Sequence, residues 1–193
     1  MRLKLLSRAI VAIAVTVATF TLCARATPST AASAGSVRCT VSVSSEWTRG
    51  PTPKLRIEAF SDGPTCTKAI VVHVIRDNAG RVLYQQAYES QFIATLQEAR
   101  TNAQMRVALR EWTDTTGPNF PNATLPNWQT GADQPDSREF GFMPHEDITR
   151  VDYLAIRSGR APIICHVQGI ESLNCLVWRN NTLQPFGIQQ FPG

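Results

Sequence analysis

Alternation of apolar and polar positions marks the first part of the chain as β structure. From Ser36 to Glu46 the valines alternate with polar residues, which is typical of a strand with one buried face. A Pro- and Gly-rich break follows, and the alternation resumes at residues 55–59. The β-branched run from Ala69 to Arg76 then leads through Asp-Asn-Ala-Gly into a second run from Arg81 to Tyr88, which predicts a hairpin.

The hydrophobic period changes to three and four residues in the next part of the chain. Apolar side chains recur at these steps from Phe92 to Trp112, which predicts a helix. Ser90 is a candidate cap at its start. Thr101 and Gln104 form a capping-box pair that would restart a helix after a bend, so two shorter helices are the alternative.

Residues 113–144 form a long irregular segment with five prolines and three glycines. Long loops in compact domains tend to be functional or disordered. This one also carries large apolar side chains, among them Phe120 and Trp128, which a freely solvated linker seldom does. We therefore expect an ordered loop that packs over the domain.

The last part of the chain returns to a β pattern, with strands predicted at Val151–Arg157, Ile163–Val167 and Asn174–Arg179 and a short piece near Leu183. The second and third of these are apolar on both faces, so we expect them in the centre of a sheet, with the helical stretch covering one face. The predicted fold class is α+β, a mainly antiparallel sheet of about six or seven strands with one helical segment and the long loop.

The first 26 residues have the pattern of a secretory signal peptide: a basic start, an apolar run from Ala9 to Ala24, and Ala24-Arg25-Ala26 as a small-x-small cleavage site. Cleavage after Ala34 is the alternative. The apolar run would span about 24 Å as a helix, short of the roughly 30 Å hydrocarbon core of a membrane. We therefore expect a single domain at residues 35–193, periplasmic or secreted, that is not an integral membrane protein.

Cysteine usage agrees with export. Removal of the signal peptide leaves Cys39, Cys66, Cys165 and Cys175, and an even number in an exported chain predicts two disulfides that staple the fold. Of the three pairings we favour Cys39–Cys66 and Cys165–Cys175, because each pair is close in sequence. No Cys-x-x-Cys or finger-like His spacing occurs, so we expect neither a metal nor another cofactor.

Charge argues against a nucleic-acid partner. The formal net charge is +4, but four of the 19 Lys and Arg side chains precede residue 27, whereas none of the 15 Asp and Glu side chains does. The remaining domain therefore carries 15 basic and 15 acidic side chains. A basic footprint is the electrostatic minimum for binding phosphate backbones, and this domain lacks an excess of basic groups.

Motifs of known hydrolases are missing from the sequence, including Gly-x-Ser-x-Gly and His-Glu-x-x-His. His145 with Glu146 and Asp147 is the best catalytic candidate, because neighbouring carboxylates can raise the pKa of a histidine and orient its ring for proton transfer. The alternative is that these acids only favour the start of a helical turn. His73 and His166 lie within predicted strands and are interpreted as structural histidines.

Four residues are candidates for binding a partner. Phe120 and Trp128 are aromatic residues on the long loop, and exposed aromatics commonly anchor interfaces. Arg157 and Arg160 offer forked guanidinium groups to an acidic partner. The alternatives are a core position for the tryptophan and an ordinary solvated turn for the arginines.

These features favour an exported, non-catalytic binding protein that contacts another protein or an envelope component through residues 113–147. Its size, disulfides and compartment are similar to those of small exported β-rich inhibitors of envelope-degrading enzymes, a likeness of class. The alternatives are a small envelope hydrolase that uses His145 and a structural envelope protein without a discrete site.

Overall fold

A computed structural model describes residues 38–47, 54–114, 125–136 and 141–190. Over these residues the chain forms eight strands, two α-helices and two short 3-10 turns. The strands are β1 (Cys39–Trp47), β2 (Leu55–Gly63), β3 (Ile70–Arg76), β4 (Val82–Glu89), β5 (Phe142–Pro144), β6 (Ile163–Val167), β7 (Ser172–Arg179) and β8 (Thr182–Gln190). The helices are α1 (Asn102–Asp114) and α2 (Arg150–Gly159), and the 3-10 turns are Cys66–Lys68 and Ser90–Phe92.

The strands form two antiparallel sheets, one from each half of the chain. The first has the order β1-β2-β3-β4 and the second the order β5-β8-β7-β6. The α+β class, the antiparallel pairing and the β3–β4 hairpin are therefore confirmed. The described residues hold eight strands in two sheets and two α-helices, against about six or seven strands and one helical segment expected from the pattern.

The strand predicted at Val151–Arg157 is wrong, because these residues belong to α2. Tyr153 and Ile156, three residues apart, are its buried positions, whereas Val151 is 76% exposed. Val151 and Tyr153 are separated by a polar residue, and this alternation resembles the two-residue period of a strand. The helical spacing of Tyr153 and Ile156 was therefore not recognised from the sequence.

Local hydrogen bonds fix both ends of α2. The Thr149 side chain accepts a hydrogen bond from the backbone N–H of Asp152, and its hydroxyl donates to the Asp152 carboxylate. Thr149 is therefore the N-cap of this helix, and a hydrogen bond between the two side chains holds its hydroxyl in place. Arg160 ends the helix in the left-handed region, with φ of 50°, and its N–H donates to the carbonyl of Ile156.

Helix α1 begins at the predicted capping box. The backbone N–H of Gln104 donates to the Thr101 hydroxyl, and the Thr101 N–H donates to the Gln104 amide oxygen, both at 3.2 Å. A single helix from Phe92 is wrong, because a 3-10 turn and further turns precede Thr101. Ser90 is not a helix cap; its hydroxyl donates to the carbonyl of Cys66.

One apolar core lies between the first sheet and α1, which contributes Met105, Leu109 and Trp112. A second core lies between α2 and one face of the second sheet, and it contains Tyr153, Ile156, Ile163, Val177 and Phe186. The third joins the two sheets through Leu55, Ile57, Ile75, Ile164 and Leu176. The β6–β7 hairpin is therefore covered on both faces, as expected. The sequence predicted that the helix at residues 92–112 would cover one of these faces, whereas in the structure α2 covers it.

Both expected disulfides are present. Cys39 is bonded to Cys66, and Cys165 is bonded to Cys175 across the β6–β7 pair, where the two residues are direct partners in register. No helix in the described part of the chain is long and apolar enough to cross a membrane. The predicted signal peptide lies outside the described residues.

The predicted loop at residues 113–144 includes residues that belong to regular elements at both of its ends. Thr113 and Asp114 belong to α1, and residues 142–144 form β5. Residues 125–136 lie between them without regular structure, apart from turns. The order of the whole loop is not tested, because 115–124 and 137–140 lie outside the described residues.

Candidate functional site

Two histidines from different sheets stack against each other in the interior. His73 lies on β3 and His166 on β6, and both are fully buried. Their ring centroids are 4.3 Å apart and their planes differ by 7°. His73 is paired in register with Ala59 of β2, whose small side chain leaves space above the sheet for the imidazole. The Trp112 indole stands edge-to-face to His73 at 5.1 Å.

A short polar chain leads from this pair to the edge strand β4. The Tyr88 hydroxyl is 2.7 Å from Nε2 of His166 and 3.4 Å from the Tyr84 hydroxyl. The Asn174 amide on β7 donates to the Tyr84 oxygen at 2.8 Å. Within the described residues, both nitrogens of His73 and Nδ1 of His166 have no hydrogen-bond partner.

Burial keeps this cluster uncharged. Desolvation lowers the pKa of His73 to about 3. Desolvation, followed by the nearby His73, lowers the pKa of His166 well below its usual value, whereas burial raises the pKa of both Tyr84 and Tyr88. All four side chains are therefore neutral near pH 7, so neither histidine is matched to acid–base catalysis there. The described residues also contain no group of three or more His, Cys, Asp or Glu that could hold a metal.

The four sheet edges differ in how they are covered. Side chains of helix α1 cover the first half of the β1 edge in place of a strand. The Thr40 N–H donates to the Asn102 amide oxygen, and the Asn102 amide nitrogen donates to the Arg38 carbonyl, both at 3.1 Å. Arg106 donates to the Ser42 carbonyl at 3.3 Å. One asparagine thus satisfies both a donor and an acceptor of this edge.

The edges of the second sheet are short or buried. Strand β5 has three residues and ends at Pro144, which has no N–H to offer. All five residues of β6 are buried, and the Trp112 indole N–H donates to the Val167 carbonyl at its end. Neither edge presents a long accessible row of backbone groups.

Strand β4 is the exception. It has eight residues, and Gln85, Gln86 and Ala87 at its centre are exposed. Its backbone pairs with β3 on one side, and no backbone hydrogen bond reaches its other side within the described residues. The strand contains no proline or lysine, and Glu89 is its only charged residue. This is an accessible and unprotected sheet edge.

The structure brings His145 and Asp147 together on the turn between β5 and α2. Nδ1 of His145 is 3.4 Å from both the carboxylate and the backbone nitrogen of Asp147. The side chains are 37% and 86% exposed, and Glu146 is also exposed. No other polar side chain of the described residues bonds to the imidazole, so the orienting third group of a catalytic triad is lacking.

Trp128 lies in the core that contains α2, where it is 8% exposed. Its indole N–H donates to the Ala132 carbonyl at 2.8 Å, and its ring is edge-to-face to Tyr153. This geometry favours the core alternative for Trp128. Arg157 donates to the Leu125 carbonyl and so holds the loop to α2. Arg160 is exposed at the end of α2, and Phe120 lies outside the described residues.

Sequence reasoning did not find the β4 edge or the contact between the histidines. The hairpin pattern predicted the strand that carries Tyr84 and Tyr88, but the groups that they contact come from the other half of the chain. No protein-family model, curated protein sequence or solved structure matches the chain.

Proposed function

We propose that this protein is an exported binding protein, without catalysis of its own, that holds an extended segment of a partner protein along β4. The observation that carries the proposal is the contrast between the edges of the first sheet. Side chains of α1 bond to the backbone of Arg38, Thr40 and Ser42 along the first half of β1. No other segment of the described residues bonds to the outer backbone groups of β4, where one side-chain bond, from the Gln86 amide to the Ala87 carbonyl, lies within the strand itself. Unpaired edge groups are a template for another strand.

The chemistry of β4 defines the segment that it accepts. Backbone N–H and C=O groups provide the affinity, and the two rows of side chains provide specificity. Tyr84, Gln86 and Tyr88 form one row by alternation, and Gln85 and Ala87 form the other. Because both rows are uncharged, we infer a partner segment whose central residues are uncharged.

Two further observations support this function over the alternatives. The two disulfides are compatible with an exported protein. The buried histidines are neutral near pH 7, and the exposed His145–Asp147 pair has no third polar side chain to orient it among the described residues. The sequence-based site at residues 113–147 is replaced by β4 in this proposal, since Trp128 is buried.

The proposal is tested with a displayed library of random twelve-residue peptides, selected against the domain of residues 35–193. Selected peptides are synthesised, and their Kd values are measured by fluorescence anisotropy. We expect an uncharged, extended peptide that slows amide hydrogen exchange across residues 82–89. The double variant Gln85→Lys/Ala87→Lys places two charges on the exposed edge and should weaken binding by about tenfold or more.

The matched control is Ser42→Lys/Ser44→Lys, which places two lysines with the same spacing on β1, the opposite edge of the same sheet. Its Kd should equal that of the unchanged domain. The proposal fails if no peptide is selected, if exchange slows elsewhere, or if both variants bind equally well. Light scattering of the free domain separates a second copy of the chain from a partner: dimers that the β4 lysines abolish would overturn the assignment of the edge to a partner.

A further inference from the structure

The histidine pair occupies a position where charge cannot be accommodated. Both rings are fully buried and stacked, and one ring hydrogen bond, between His166 and Tyr88, is made within the described residues. Two protonated imidazoles would present four N–H donors, whereas one hydrogen bond to these rings, between His166 and the Tyr88 oxygen, is made among the described residues. They would also place two positive charges about 4 Å apart, in surroundings of low dielectric.

No group that faces the pair would compensate this charge. From β4 the pair meets the uncharged amide of Gln86, which is paired in register with His73, and the tyrosine hydroxyls. Burial raises the pKa values of both tyrosines, so neither becomes a phenolate. Strand β7 contributes the neutral amide of Asn174, which is paired in register with His166 and donates to the Tyr84 hydroxyl. Strand β2 contributes Ala59, which is apolar.

The charged side chains of the neighbouring elements lie elsewhere. Glu58 and Arg76 bond to each other on the opposite face of the first sheet. Arg110 and Glu111 of α1 are exposed, whereas the Trp112 ring of that helix stands edge-to-face to both histidines. Strand β6 carries no Asp, Glu, Lys or Arg.

We propose that His73 and His166 form an acid-sensitive lock that holds the two sheets together when neutral and releases β4 when protonated. The link to β4 is direct, because Tyr88 and Tyr84 belong to that strand and bond to His166 and Asn174 of the second sheet. Protonation of the two histidines would separate the β4 tyrosines from His166 and Asn174 of the second sheet. Release of a partner in acid rests on the proposed function; the lock itself does not.

The direction of the pH effect follows from proton linkage. In the unfolded chain both histidines take up a proton as the pH falls below about 6.5, whereas the folded state resists protonation at His73 until about pH 3. The stabilising effect is complete above pH 6.5 and is lost as the pH falls below it. Each histidine raises the unfolding equilibrium constant by up to about tenfold per pH unit, and the pair by about a hundredfold.

The test is chemical denaturation of the domain of residues 35–193 between pH 7.5 and 4.5, compared with the variant His73→Phe. Phenylalanine keeps a flat aromatic ring and removes no hydrogen bond known within the described residues. We expect the unchanged domain to take up about one proton more on unfolding in acid than His73→Phe does. The matched control His145→Phe removes a histidine outside the cluster and should keep the slope of the unchanged domain.

A second measurement needs no variant. In the NMR spectrum of the folded domain, the ring protons of His73 and His166 should not titrate down to the pH at which the domain opens. Titration of both rings near pH 6.5 in the folded state would overturn the lock, as would equal acid slopes in all three proteins. Peptide binding at β4 is a separate readout: a peptide that binds equally at pH 7.5 and 5 would remove only the release step.

Discussion

At the scale of single residues, the clearest agreement between sequence and structure is the capping box of α1. The spacing of Thr101 and Gln104 predicts reciprocal hydrogen bonds, and the structure contains both of them. Such a motif is readable because all of its partners lie within one turn of the chain. Thr149 and Asp152 form a similar cap at α2, which the sequence interpretation overlooked.

Replacement of Thr101 tests how much the α1 cap contributes to the free energy of unfolding. Thr101→Ala removes the acceptor of the Gln104 N–H and should lower the free energy of unfolding by about 1 kcal/mol. The measurement is urea denaturation followed by circular dichroism. Thr95→Ala is the matched control, because the Thr95 hydroxyl makes no hydrogen bond within the described residues; equal losses in the two variants would contradict the role of the cap.

At the scale of elements, local patterns identified most strands and failed where two periods overlap. The β3–β4 hairpin and β6 follow from β-branched runs and turn residues, which act within a few positions. At α2 the larger side chains at 151 and 153 suggested a strand, whereas burial of Tyr153 and Ile156 against β6 and β7 selected the helix. Three-residue β5 exists because it pairs with β8, a distant segment.

The hydrogen bonds between Asn102 of α1 and the β1 edge can be tested at the scale of elements. Asn102→Ala should remove two hydrogen bonds to β1 and leave the Thr40 N–H and the Arg38 carbonyl to solvent. We expect a loss of about 1 to 2 kcal/mol in the free energy of unfolding, together with faster exchange of the Thr40 amide. The control Asn127→Ala changes an exposed asparagine whose side chain makes no hydrogen bond within the described residues. Unchanged Thr40 exchange in Asn102→Ala would show that the helix does not protect this edge.

At the scale of the whole molecule, one sheet forms from each half of the chain and the two pack through an interior that contains the histidine pair. Each disulfide joins residues of one half, with sequence separations of 27 and 10. The bonds therefore stabilise the halves separately. Contact between the halves depends on side-chain packing, on the tyrosine, histidine and asparagine chain, and on hydrogen bonds from the Trp112 indole to the Val167 carbonyl and from the Ala94 N–H to the Gly169 carbonyl.

Export is the prediction for the whole chain. Expressed at full length in a host with a periplasm, the protein should be recovered outside the cytoplasm, beginning at residue 27 or 35. It should react with no thiol reagent, because all four remaining cysteines are paired. A chain that lacks residues 1–26 is the control and should stay in the cytoplasm. Cytoplasmic retention of the full-length chain would contradict the signal-peptide prediction.

Features that depend on near neighbours in the chain follow from the amino-acid sequence alone. Alternation and turn residues fix most strands, the capping box fixes the start of α1, and close spacing of the cysteines favours the observed disulfides. The balance of 15 basic and 15 acidic side chains after residue 26 is also known without the fold. Each of these signals is carried by residues that are adjacent or nearly so in the chain, where backbone stereochemistry and chain entropy act.

Which surfaces are covered and which distant groups are in contact depends on how the elements pack in three dimensions. His73 and His166 are 93 positions apart, and Tyr88 and His166 are 78 apart. Nothing local relates such residues, because their contact results from burying the faces of two sheets together. The same holds for the edges: α1 covers β1 and leaves β4 open as a consequence of packing, which no single segment encodes.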